Sequence, residues 1–114
     1  MKRSWPKLAE VLEDIELDRF ESKVATLDAG EEEDLYFGHL RLAVGAGLVE
    51  GVGVEWKAKD WVWSAEKPLL TMKGHDVLEA IRTKTVWTRI KEQSVEHAVP
   101  ITVEFIKHVI DIGF

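Results

Sequence analysis

The spacing of the apolar residues changes at a pair of glycines near the middle of the chain, and this change constrains the fold more than any other feature. Before Gly45 the apolar residues recur at helical spacing, at Tyr36, Leu40, Ala43 and Val44. After Gly47 they follow a short extended pattern, at Leu48, Val49, Val52 and Val54. Because Gly47 suits a left-handed helix cap, the sequence predicts a helix that ends here and passes directly into a β-strand.

The residues before this helix predict another helix and a short strand. Ser4 can cap a first helix that holds Pro6 in its first turn. Its apolar face comprises Trp5, Leu8, Val11, Leu12 and Ile15. Residues 20–27 alternate imperfectly and predict a brief strand. Asp28 is then the expected cap of the central helix, with Glu31 placed as in a capping box.

The residues after the extended segment predict a hairpin followed by helices. Residues 56–61 are the expected hairpin tip, and Thr71 is the expected cap of a third helix, with Gly74 near its start for close approach to a neighbour. The apolar residues Val86, Trp87 and Ile90 predict one or two further helical turns. Pro100 is expected at the first position of the last helix. The chain of 114 residues is therefore expected to form a single α+β domain.

Two motifs flank the predicted hairpin: residues 39–49, HLRLAVGAGLV, and residues 70–76, LTMKGHD. The first is similar to the end of a winged-helix recognition helix and the second to the segment after the wing. In winged-helix domains a helix and a small-residue turn lead into such a hairpin wing. The segments HLRL and AGLVEG, followed by GHD, AIR and TVW within residues 74–87, resemble a family of short phage and prophage proteins known only as a domain of unknown function. The chain departs from the sequence pattern of this family at Val77 and at residues 43–45, and these differences concern packing. The resemblance implies a winged-helix-like domain with a β-hairpin wing and extra C-terminal helices, located in the cytoplasm of a bacterial host.

The composition argues against several classes of function. The chain has no cysteine, so a disulfide framework, a thiol nucleophile and a thiolate metal site are excluded. None of the four histidines lies four residues from another, and Glu104 with His108 alone is typical of a surface helix contact. His75 and Asp76 are expected to hold the wing against the domain. The resemblance carries over no catalytic residue, and we expect neither enzymatic activity nor a cofactor nor a bound metal.

An acidic helix start and an aromatic hairpin are the candidate protein-binding residues. Residues 21–50 hold seven acidic residues against two basic ones, which accounts for five of the six net negative charges. Acidic residues at a helix start often serve only to complement its dipole. Five tryptophans are many for this length, and tryptophan is enriched in interface hot spots. The candidates are Glu31, Glu32, Glu33, Asp34, Trp56, Trp61 and Trp63, which would bind a protein of the host or the phage as an inhibitor, adaptor or mimic.

A DNA-binding transcriptional regulator is the alternative. A recognition helix reads bases with its N-terminal part, which here carries four successive carboxylates that the phosphates would repel. The candidate phosphate contacts are Lys2, Arg3, Arg41, Lys57 and Lys59. The net charge of -6 disfavours this alternative.

The last helix, at about residues 100–112, is strongly apolar and predicts a homodimer. Its apolar residues continue to Phe114, and one face alone would not cover them. No apolar run approaches the roughly 20 residues that span a bilayer, so no membrane association is expected. The charged start without an apolar stretch behind it predicts no signal peptide.

Overall fold

The first helix, α1, spans Trp5–Glu16 and begins as its sequence predicts. A computed structural model describes residues 2–112 of the chain. The Ser4 hydroxyl accepts a hydrogen bond from the Lys7 amide at 3.2 Å, which satisfies one of the open donors of the first turn. Leu8, Val11, Leu12 and Ile15 are buried on the predicted face.

The second element is a helix, so the strand predicted over residues 20–27 is wrong. Helix α2 spans Phe20–Val24. A strand here would need a neighbouring strand for its amides and carbonyls. Local bonds satisfy them instead, from the Lys23 amide to the Arg19 carbonyl at 2.9 Å and from the Ala25 amide to the Glu21 carbonyl at 3.1 Å.

The central helix, α3, spans Glu31–Gly45 and lies against α1 and the first strand. Its N-cap is Gly30, with φ of +99°, and no side chain caps it, so the prediction of an Asp28 cap is wrong. Asp28 contributes its backbone carbonyl, which accepts from the Glu33 amide at 3.2 Å. Gly47 adopts the predicted left-handed conformation, with φ of +73°. The chain therefore turns at Gly47 and continues into the hairpin.

The hairpin pairs β1, Val49–Lys57, with β2, Asp60–Leu70, in antiparallel register. Trp56 lies opposite Trp61. Ala58 and Lys59 form the tip with φ of +53° and +63°, the backbone of the turn that fits strand twist. The turn therefore lies within the predicted tip, residues 56–61, and the strands continue to within two residues of each other.

Three helices follow the hairpin: α4, Met72–Arg82; α5, Lys84–His97; and α6, Val103–Ile112. The Thr71 hydroxyl caps α4 by accepting from the Gly74 amide at 3.0 Å, as predicted. Helix α6 begins three residues after Pro100, so that predicted boundary is wrong. The Thr102 hydroxyl caps the helix instead, accepting from the Phe105 amide at 3.0 Å.

The architecture is α+β and compatible with a winged-helix-like arrangement, as predicted. Helices α2 and α3 precede the hairpin wing, and α4 to α6 are the extra C-terminal helices. The core lies between α1, α3 and α4 and includes Leu12, Tyr36, Leu40 and Leu78. In residues 2–112 no helix has the length and apolar character needed to cross a membrane.

Candidate binding groove

A groove of about 1190 Å³ runs along the outer face of α3, and we call it the α3 groove. One stripe of α3 at helical spacing forms its floor: Glu31, Asp34, Leu35, Gly38, Arg41, Leu42 and Gly45. Trp56 and Trp61 of the hairpin line one side. The N-terminal segment with Trp5 and the start of α6 line the other end. Apolar and aromatic side chains thus form much of the surface, together with charged residues of α3, α6 and the N-terminal segment.

The hairpin is fixed against the start of α3 through Trp61. The indole Nε1 of Trp61 donates a hydrogen bond to Asp34 Oδ1 at 2.8 Å, and its ring stacks on Phe37 with centroids 5.8 Å apart. Trp56 meets Trp61 edge-on at 5.1 Å and keeps half of its surface exposed. This acidic and aromatic end of the groove combines residues that are far apart in the sequence.

The N-terminal segment is fixed against α3 through His39. The buried imidazole accepts a hydrogen bond at Nε2 from the Ser4 amide, at 2.8 Å. Its Nδ1 lies 2.7 Å from the Leu35 carbonyl, which can only accept, so the proton is on Nδ1. Burial lowers the pKa of His39 below its ordinary value, which keeps the ring neutral at neutral pH. Ser4 is thereby held beside α3, next to the basic residues of the segment.

Lys2, Arg3 and Arg41 line the groove. Ser4, which follows Arg3, is bonded to His39, two residues before Arg41, and we call this part of the groove its basic end. The Arg3 guanidinium lies over the Trp5 ring, 5.4 Å from its centroid. Glu31 and Arg41 are ten residues apart on α3, which is about 15 Å along the helix axis. Within residues 2–112, none of Glu31, Arg3 and Arg41 belongs to an ion pair. The groove therefore has an acidic end and a basic end whose charges are not neutralised by these residues.

Comparisons with known proteins identify a family and no activity. Residues 2–100 match the family described as "Hypothetical protein (DUF2513)". The chain belongs to this family. A protein of Haemophilus influenzae described as "Uncharacterized protein" is 28% identical over 112 residues, which covers 96% of this chain and 92% of the relative. No solved structure matches. The family match confirms the predicted resemblance to a domain of unknown function.

The structure brings together candidate residues from both predicted sets. Glu31, Asp34, Trp56 and Trp61 line the groove with Lys2, Arg3 and Arg41. Outside the lining that the described residues form are Glu32, Glu33, Trp63, Lys57 and Lys59. Trp63 packs edge-on against Phe20 at 5.3 Å, and Lys57 lies 3.9 Å from Glu55 at the hairpin tip. Trp63 therefore packs within the chain, whereas Trp56 and Trp61 line the groove.

The histidine and carboxylate pairs singled out in the sequence make other contacts. Asp76 accepts from Lys107 of α6 at 2.8 Å, and His75 lies 3.5 Å from Glu16 of α1. His75 and Asp76 therefore connect α4 to α1 and α6, and the prediction that they hold the wing against the domain is wrong. Glu104 pairs with Lys73 at 2.9 Å. Among the described residues, no three acidic or histidine side chains form a cluster that could hold a metal ion.

Sequence reasoning missed two groups of residues. The floor residues Leu35, Gly38, Leu42 and Gly45 form a second stripe of α3, offset from the buried one, and its helical spacing was the available signal. The other group surrounds Asp14, which is fully buried and accepts from the Tyr36 hydroxyl at 2.9 Å. Burial, reinforced by this carboxylate, raises the pKa of Tyr36 far above its ordinary value. No local pattern connects these two residues, which are 22 positions apart.

Proposed function

We propose that the chain is a non-enzymatic binding protein that recognises another protein through the α3 groove. The observation that carries the proposal is the hydrogen bond between Trp61 and Asp34, which joins the acidic helix start and the aromatic hairpin into one wall. A half-exposed tryptophan on an apolar floor is typical of an interface centre, and the charged residues around it are typical of the polar rim. The proposed context is that of a phage or prophage accessory protein in the bacterial cytoplasm.

Site-specific photo-crosslinking in bacterial cells tests this function. A photoreactive phenylalanine analogue at Trp56 is expected to give one dominant protein adduct. The same group at Val95, which is 82% exposed on α5, is the control and should not give that adduct. Reversing the charge of Glu31, which lines the groove, should weaken the adduct from position 56. Identical adducts from both positions, or none from position 56, would contradict the proposal.

DNA binding is the second candidate function, and the helix–hairpin order together with Arg3 and Arg41 in one groove favours it. Those residues would have to hold phosphates while Glu31 and Asp34 faced the same duplex. Fluorescence anisotropy of a labelled random duplex at low and moderate salt separates the two functions. Binding that weakens steeply with salt and is lost in Arg41→Glu would support a regulator. We expect no binding at low salt.

The proposed homodimer through α6 has less support from the packing than from the sequence. Ile106 and Val109 are buried against the rest of the chain, and Phe105 and Ile110 are partly buried. Ile112 is 62% exposed, and Phe114 lies outside the described residues. Light scattering at micromolar concentration tests the proposal, and a strict monomer would contradict it.

A further inference from the structure

We infer that the occupant of the α3 groove is an amphipathic α-helix of a partner protein, lying antiparallel to α3. This inference rests on the proposed protein-binding function and adds the secondary structure, orientation and charge pattern of the bound segment. The size of the groove, the shape of its floor and the charges at its two ends support it.

The size of the groove fits a segment of polypeptide. Its volume of about 1190 Å³ exceeds the roughly 300–1,000 Å³ typical of small-molecule sites. The floor follows α3 from Glu31 to Gly45, a length of about 21 Å. A partner helix of about four turns has the same length. An amphipathic helix placed in an apolar groove is a recurrent mode of recognition.

The floor is open at its C-terminal end, where Gly45 is exposed. A Cβ atom built on Gly45 would meet nothing within 4 Å, so the backbone of α3 is open to a neighbour there. Leu35 and Leu42 offer apolar contacts on the same stripe. These residues supply the close approach and the apolar area that helix packing requires.

The charges of the groove select one orientation. Helices commonly carry acidic residues in the first turn and basic residues in the last, because these complement the helix dipole. An antiparallel occupant would place its acidic first turn at Lys2, Arg3 and Arg41, and its basic last turn at Glu31 and Asp34. A parallel occupant would place like charges together at both ends. Glu104 also lines the groove, and it pairs with Lys73 at 2.9 Å.

A pair of synthetic peptides tests the inference. Both are end-capped, alanine-rich helices of about 16 residues with the same leucine stripe, long enough to be helical in isolation. The first peptide has glutamates in its first turn and lysines in its last, and the second has these exchanged. Each is labelled and titrated with the full chain, and anisotropy is recorded. We expect the first to bind about tenfold more tightly, because each exposed ion pair contributes little but both ends change from attraction to repulsion.

Variants of the chain test whether the peptides bind in the α3 groove. Gly45→Trp should weaken both peptides at least tenfold by filling the floor, and Gly45→Ala, which adds only one methyl group, should weaken them less. Arg41→Glu should reduce the preference for the first peptide and increase binding of the second. Circular dichroism and the urea midpoint establish that each variant is folded. Raising the salt concentration should reduce the preference between the peptides.

Three results of the peptide titrations would overturn the inference: equal affinity for the two peptides, no binding of either at millimolar concentration, or binding that Gly45→Trp does not change. A partner adduct from position 56 together with any of these results would leave the protein-binding function standing and reject the helical occupant. Self-association of the chain that Gly45→Trp abolishes would also reject it, since a second copy would then occupy the groove.

Discussion

Two faces of the molecule use their charged side chains in opposite ways. On the face formed by α1, α4 and α6, charges pair within the chain: Arg82 lies 3.1 Å from Glu16, and Lys107 lies 2.8 Å from Asp76. In the α3 groove, Glu31 and Arg41 have no ion-pair partner among residues 2–112. The paired charges connect helices to one another. Glu31 and Arg41 are exposed and accessible to a partner, whereas Asp34 of the same groove accepts from Trp61 and holds the hairpin.

Gly74 and Gly45, one glycine from each region, differ in whether the space beside them is filled by the chain. A Cβ on Gly74 of α4 would overlap the Leu48 carbonyl, whereas a Cβ on Gly45 in the groove would meet nothing within 4 Å. Gly74 thus allows α4 to pack closely on the chain that leads into the hairpin. Gly45 leaves open space on the outer surface. A mutation in the first region should change stability, and one in the groove should change binding.

The largest expected effect is that of Gly74→Ala. The added methyl group would have to displace the Leu48 backbone, so we expect a loss of about 3 kcal/mol in the free energy of unfolding. Gly45→Ala is the matched control and should stabilise by about 0.5–1 kcal/mol, because it reduces the conformational freedom of the unfolded chain. Urea unfolding of both variants measures the difference. Equal effects at the two positions would mean that the regions do not differ in packing.

Asp14→Ala should produce the next largest effect. Asp14 is buried and accepts from Tyr36, and Arg19 approaches it to 3.2 Å. Its removal leaves the buried Tyr36 hydroxyl without an acceptor, and we expect a loss of about 2 kcal/mol. Tyr36→Phe leaves the carboxylate with Arg19, so it should cost only about 1 kcal/mol. The inference of a fold-stabilising cluster fails if both variants have the unfolding midpoint of the native chain.

The sequence predictions that succeeded had a local cause, although two other local signals, the Asp28 cap and the helix start at Pro100, failed. Ser4, Gly47 and Thr71 act through hydrogen bonds or backbone angles within a few residues, and each lies at the predicted position. The strand predicted over residues 20–27 failed because a strand depends on a distant neighbour that its own residues do not specify. The groove combines residues from four segments, so its acidic and aromatic members were recognised separately and their contact through Trp61 was not predicted.

Because of His39, the free energy of unfolding should fall as the pH is lowered. Burial lowers its pKa in the folded chain below the ordinary value of 6.5, so the unfolded chain takes up the proton first. The contribution to stability is therefore complete above about pH 6.5 and is lost as the pH falls towards the folded pKa. Urea midpoints measured between about pH 7 and pH 5 should fall, and less so in His39→Gln, whose side chain does not titrate. Parallel curves for the two proteins would exclude His39 as the cause.

The smallest expected effect is the difference in stability between Arg82→Ala and Arg41→Ala, which replace one exposed arginine in each region. Neighbouring Glu16 and Glu79 raise the pKa of Arg82, whereas Arg41 has no ion-pair partner in residues 2–112. Arg82 is 42% exposed, and surface ion pairs contribute little, so Arg82→Ala should cost about 0.5 kcal/mol and less in high salt. Arg41→Ala should change the unfolding free energy by less than about 0.3 kcal/mol at any salt concentration. A larger loss from Arg41→Ala than from Arg82→Ala would show that Arg41 supports the fold, and its charge could then not be assigned to a partner.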